Sequence, residues 1–178
     1  MRTTADERPP GRETGGVQIA LRRLDAADVD AVVALSLAAW APVFAGVEAE
    51  LGPALHRMLF PDWHSAQARA VETVCRSTEH EVWVAADGDR PVGFVAVRYV
   101  DEDAVRAGEI DMIAVDPRCQ RRGVGAALLR HAVDGIRAAG VGLAVLGTGG
   151  DPGHAPARAL YESLGFRPFR IVRYYRPL

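Results

Sequence analysis

Apolar and polar positions along this chain recur with two periods, and the switches between them divide it into elements. Val17–Gln18–Ile19–Ala20–Leu21–Arg22 alternates with period two and predicts a half-buried strand. Helical spacing follows: Asp25 stands as N-cap, and Val29, Val32, Val33, Ser36 and Trp40 share a face. Pro42 is expected to end that helix or to lie just past its end, because proline biases the residue before it away from helical geometry. The run from Val43 to Arg76 predicts two short helices, interrupted at Gly46 and Gly52–Pro53 and restarted at Pro61–Asp62. Glu81 to Ala86 and Val92 to Val100 read as strands joined by the turn Asp87–Gly88–Asp89–Arg90–Pro91. Asp101 to Gly108 is an acidic loop into a third strand ending at Val115, so three antiparallel strands are expected in succession.

Leu128, Leu129, Ala132, Val133 and Ile136 form the apolar face of the next helix, and Gly140 suits its C-terminal cap. Val141 to Leu146 is wholly apolar and predicts a buried, central strand. Pro156 suits the first turn of a helix from Ala155 to Leu164, stopped by Gly165–Phe166. Alternation from Phe169 to Tyr175 predicts a final strand or two.

Composition narrows this picture. Residues 1–16 are polar and without period, a flexible tail before a single domain spanning 17–178. Hydrophobic residues make up 49% of the chain, enough to fill a core. A net charge of −2 argues against nucleic acid as a partner. Cys75 and Cys119 have no metal-binding spacing, which points to a reduced, cytoplasmic protein. No apolar run reads as long enough to cross a membrane, and no signal-peptide core stands at the start. The chain contains neither lysine nor asparagine, as a GC-rich genome would favour, so asparagine-dependent contacts must be made by other residues.

The chemistry concentrates where the third strand meets a helix. After Val115–Asp116–Pro117 come Gln120, Arg121, Arg122, Gly123, Val124, Gly125 and Ala126. A helix N-terminus offers unpaired N–H groups and the positive end of its dipole, a receptor for phosphate. A Walker loop is excluded because Gly125 is followed by Ala126–Ala127, without lysine or a metal-binding hydroxyl. A dinucleotide fingerprint is excluded because Leu128 stands where its third glycine belongs.

The remaining pattern, Gln-x-x-Gly-x-Gly between strand and helix, resembles the acyl-CoA loop of the GNAT superfamily of N-acyltransferases. Beyond the apolar strand, Ala157–Arg158–Ala159–Leu160–Tyr161–Glu162–Ser163–Leu164–Gly165–Phe166 is similar to the family's Ala-x-x-Leu-Tyr-x-x-x-Gly-Phe segment. The resemblance runs from Val17 onward. It implies an α/β fold: a mixed, mostly antiparallel twisted sheet whose middle strands splay, with helices on both faces. Acetyl-CoA would lie in the splay as co-substrate, with no metal. Ile113, Ala114 and Val115 would pair with the pantetheine arm, and N–H groups from Arg121 to Ala126 would take the pyrophosphate. Arg118, Arg121, Arg122 and Arg158 are candidates for charge near the phosphates. His154 stands where family members often carry asparagine and is a candidate for a cap or a pantetheine contact.

Acyl transfer to an amine needs an acid for the departing thiolate and a base for the ammonium. Tyr161 holds the position credited with the acid. Glu109 and Asp111 stand two apart on a strand and compete as base, Glu109 matching the position some members use. Cys119 has no neighbouring base in sequence, and the family transfers directly. The expected function is transfer of an acetyl group from acetyl-CoA to a primary amine of a small molecule or peptide. The alternative is an acyl-CoA-binding sensor or docking module without catalysis. Trp40, Phe44, His56, Phe60, Trp63 and His64 either wall the acceptor groove or pack a core. A homodimer is compatible with such a fold.

Overall fold

The computed structural model describes residues 19–102 and 104–178. The tail at 1–16, the strand positions Val17 and Gln18, and Asp103 of the acidic loop lie outside the described residues. Among the described residues, five strands form one sheet in the order β1 (Ile19–Arg23), β2 (Glu81–Asp87), β3 (Arg90–Glu102), β4 (Val105–Val115) and β5 (Ala144–Val145). The first four pair antiparallel, and β5 runs parallel to β4. On one face α1 (Val29–Leu59) and α2 (Trp63–Arg76) cover the sheet, burying Val32, Leu35 and Val71 against Val84, Phe94 and Ala114. On the other, α3 (Val124–Ala138) packs Leu128, Leu129 and Ile136 against Val95, Val97 and Ile110, with Tyr161 of α4 (Ala155–Ser163) in the same cluster.

The 3₁₀ turn Ala26–Asp28 that leads into α1 begins as read: Asp25 accepts from the Ala27 N–H, and Asp28 closes a capping box. Pro42, however, does not end α1. The helix runs to Leu59 with Pro42 inside, and its break falls at Gly52, whose φ of 76° and ψ of 158° are non-helical. Pro42 removes the N–H that would serve the Ala38 carbonyl, but Ala38 is exposed and water can take that role. Gly46 also stays helical; a Cβ there would meet the Gly153 N at 3.2 Å, so its small size seats the loop before α4. The stretch Ala26–Leu59 is long and apolar enough to cross a membrane by length and composition, contrary to the sequence expectation. In this fold Val29, Val32, Leu35 and Ser36 of that stretch are buried within the domain.

Two further expectations are corrected. The apolar run 141–146 yields only the two-residue β5, a short edge strand rather than a buried central one. Its partly exposed flanks reflect how soon it diverges from β4. Phe169 to Tyr175 forms no strand: Phe169, Ile171, Val172 and Tyr174 are exposed, with no ladder partner among the described residues.

Candidate active site

Strand β4 is the axis of the site. It pairs with β5 only through Gly108–Ala144 and Glu109–Val145, and beyond that point the two diverge. Among the described residues, main-chain groups past the divergence have no strand partner on that side. The Asp116 N–H donates to the Val92 carbonyl, which fixes the phase of the β3–β4 ladder. By antiparallel alternation, Ala114 bonds across to β3, while the N–H and C=O groups of Ile113 and Val115 point off the free edge. The Val115 carbonyl receives the Gln120 Nε2–H at 3.1 Å.

A cavity of about 480 Å³ fills the divergence. Of the sequence-predicted residues, it brings together Asp111, Ile113, Ala114, Val115, Gln120, Arg121, Gly123, Gly125, Ala126, His154 and Tyr161. Glu109, Arg122, Val124 and Arg158 do not line it. Val124 is buried in the core, and Arg122 is exposed. Arg158 Nη1 donates to the Gly149 and Asp151 carbonyls at 2.7 and 2.8 Å, holding the loop before α4. Arg118 grips the buried Asp116 through Nε at 3.0 Å and Nη2 at 2.7 Å. That hydrogen bond to Arg118 holds the Asp116 carboxyl below its ordinary range.

The mouth of the cavity is the N-terminus of α3. Gly123 caps it at φ 81°, left-handed geometry that glycine adopts without strain, and no side chain caps the first turn. Arg121 also has positive φ, at 58°. Gly125 is small for another reason: a Cβ there would stand 3.2 Å from Leu160 Cδ2, so its absence lets α3 lie on α4. Among the described residues no side chain takes the first N–H groups of this 15-residue helix, and such groups opening on a cavity can receive an anion.

Tyr161 is buried, 9% exposed, and borders the cavity. Burial pushes its phenol above its ordinary value, so it remains protonated at neutral pH. His154, the cap residue of α4, lies with Nδ1 2.5 Å from Asp151 Oδ2. Burial alone would raise the Asp151 carboxyl, but the bond and charge from His154 outweigh it, and the carboxyl sits below its ordinary range.

The two candidate bases separate at a β-bulge. Met112 pairs with Ala96 and Ile110 with Val97, leaving Asp111 as the extra residue of β4. Arg98 Nε bonds Glu109 Oε2 at 2.7 Å, while Asp111 Oδ2 meets His80 Nε2 at 2.9 Å. His80 and Arg98 escaped sequence reading because each stands far along the chain from the carboxylate it meets. Of the residues expected to wall an acceptor groove, Trp40 borders the cavity. Phe44 stacks on Trp63 at 4.4 Å and meets Phe60 edge-on at 5.6 Å, and these three line a separate hollow of about 420 Å³. Cys119 is buried, and burial raises the Cys75 thiol to about 11, so Cys75 is not an activated nucleophile. Among the described residues no cluster of His, Cys, Asp or Glu is arranged to hold a metal.

Comparison with known proteins gives this geometry a family. The model of the acetyltransferase (GNAT) family matches residues 49–166. A mycothiol acetyltransferase of Beutenbergia cavernae is 35% identical over 142 residues, covering 74% of this chain and 46% of that protein. The [ribosomal protein bS18]-alanine N-acetyltransferase of Escherichia coli is 49% identical over 65 residues, covering 36% of this chain and 43% of that one. The chain thus spans less than half the length of these two relatives. An aminoglycoside N-acetyltransferase solved in complex with CoA superposes with a TM-score of 0.61 at 16% identity, covering 92% of this chain and 97% of that one.

Proposed function

Because this chain belongs to the acetyltransferase (GNAT) family, we propose that it moves an acetyl group from acetyl-CoA directly to a primary amine of a small molecule or peptide. The observation that carries this reading is one cavity bordered at once by a glycine-capped helix N-terminus, a free strand edge, a protonated phenol and a carboxylate. The first turn of α3, with Arg121, suits the pyrophosphate. The N–H and C=O of Ile113 and the N–H of Val115, whose carbonyl is taken by Gln120, suit the amide-bearing arm, as an added strand would.

Asp111 takes a proton from the substrate ammonium. The freed nitrogen lone pair bonds to the thioester carbonyl carbon, and the carbon–sulfur bond breaks. Tyr161 gives its proton to the departing sulfur, and the phenolate recovers one from the newly acylated nitrogen through solvent. The products are an N-acetylamine and CoA thiol, with one proton passing from Asp111 to water. Holding amine and thioester together in the cavity supplies much of the acceleration.

Asp111 is preferred to Glu109 because it borders the cavity, whereas Glu109 is engaged by Arg98. The unpaired cysteines support a reducing, cytoplasmic setting. Release of free CoA thiol from acetyl-CoA, measured across amines from polyamines to peptide N-termini, tests the proposal. Turnover on at least one amine supports it. CoA binding without turnover on any amine favours an acyl-CoA sensor.

A further inference from the structure

We propose that His80 is the positioning residue of Asp111, holding the carboxylate at the cavity so that it takes the proton of the incoming amine. The inference rests on the acetyl-transfer reading above and adds to it a residue outside the cavity lining.

Asp111 sits on a bulge, where an extra residue re-aims a side chain and the ladder no longer fixes it. A competitor for it is close by. Arg98 Nη2 lies 3.9 Å from Asp111 Oδ1, and the same guanidinium already binds Glu109 at 2.7 Å. Left to rotate, Asp111 would close on Arg98 and share the fate of Glu109. The His80 ring holds the other oxygen, Oδ2, at 2.9 Å.

This contact is built into the fold rather than laid on its surface. The His80 side chain is 8% exposed, and its Nδ1 is buried with no hydrogen-bond partner among the described residues. A buried polar atom without a partner is costly, and the contact of Nε2 with Asp111 is the ring's one side-chain hydrogen bond among the described residues. With no acceptor beside Nδ1, the proton belongs on Nε2, where it donates to Asp111. His80 immediately precedes β2 and Asp111 lies on β4, so the pair ties the approach to one strand to the bulge of another.

The test compares the parent with His80→Leu, His80→Gln, Asp111→Asn and the His80→Leu/Asp111→Asn double variant, on an amine that the parent acetylates. His80→Leu is expected to lower kcat roughly tenfold or more while the KM for acetyl-CoA stays unchanged. His80→Gln, whose amide N–H reaches the place of Nε2, is expected to recover most of that loss. In the Asp111→Asn background, His80→Leu is expected to cost nothing further. Nitrogen-resolved spectra of the parent's His80 ring are expected to show the Nε2–H form, with a shift in Asp111→Asn; this reading holds even if His80→Leu fails to fold. An active parent whose His80→Leu keeps parental kcat, whose His80 losses persist undiminished without Asp111, or whose ring spectrum ignores Asp111→Asn overturns this inference alone. A parent inert on every amine overturns the acetyl-transfer reading and this role with it.

Discussion

Arg98 and Glu109 stand directly opposite each other on β3 and β4, joined by an Nε–H to Oε2 hydrogen bond of 2.7 Å. Glu109 is thus tied to Arg98 and does not border the cavity, so it is poorly placed to meet an amine there, whereas Asp111 lines it. The two acidic residues of β4 should therefore respond differently to amidation. Asp111→Asn is expected to lower kcat by about 10²-fold, within the range that general bases contribute. Glu109→Gln is expected to stay within about threefold of the parent, its loss confined to one partly exposed ion pair. Steady-state kinetics on a single amine check both; the reverse order would return the base to Glu109.

Tyr161 makes a prediction about pH. Burial raises its phenol above the ordinary tyrosine value, so the acid form is present throughout the neutral range and is lost only as pH climbs through the raised value. The alkaline fall of kcat assigned to this group should accordingly lie above the pH at which an exposed tyrosine ionises. Tyr161→Phe should lower kcat by about 10²-fold and abolish that limb, while CoA affinity by calorimetry is retained. An unchanged profile in Tyr161→Phe would free the phenol from its role.

The elements that speak through local pattern were legible in the sequence. The Asp25 cap, the Asp87–Arg90 turn, the apolar stripe of α3 and the glycine-capped start of that helix all depend on residues a few positions apart. What stayed hidden depends on register or on distant partners. Alternation along β4 correctly puts Glu109 and Asp111 toward one side, but it carries no sign of the bulge that sends one to His80 and leaves the other to Arg98. Pro42 looked like a stop because local rules ignore the solvent at Ala38, which makes the lost hydrogen bond tolerable. The apolar run at 141–146 looked like a core strand because hydrophobicity does not say where two strands part. Arg158 looked like a phosphate ligand by position, yet the carbonyls of Gly149 and Asp151 occupy it.

Gly123 tests the anion receptor. Its φ of 81° is accessible to alanine only at a cost of roughly 1–2 kcal/mol. No atom lies within 4 Å of a Cβ placed there, so the substitution introduces backbone strain without a clash. If the first turn of α3 receives the pyrophosphate, Gly123→Ala should weaken CoA binding by roughly 5- to 30-fold through the displaced N–H groups. The kcat at saturating acetyl-CoA should change little. Calorimetric titration with CoA checks this, and unchanged affinity in a folded variant would place the phosphates elsewhere.

Gly108 governs how closely α3 lies on β4. A Cβ built there overlaps the Ile136 side chain at Cγ1, Cγ2 and Cδ1, and Gly108 is also where β4 holds β5, its N–H donating to the Leu143 carbonyl at 2.9 Å. Two of those Ile136 atoms branch directly from its Cβ, so rotation of the chain end cannot clear the space; the helix or the strand must shift. Overpacking of this kind costs about 1–3 kcal/mol, and Gly108→Ala should lower the melting temperature accordingly. Trimming the opposing side chain should relieve the overlap. Ile136→Ala alone loses buried contact, by about 2–5 kcal/mol, but combined with Gly108→Ala it should cost less than the two single losses added together. A double-mutant cycle by thermal or urea unfolding measures that difference. Strict additivity would mean that α3 does not rest on Gly108.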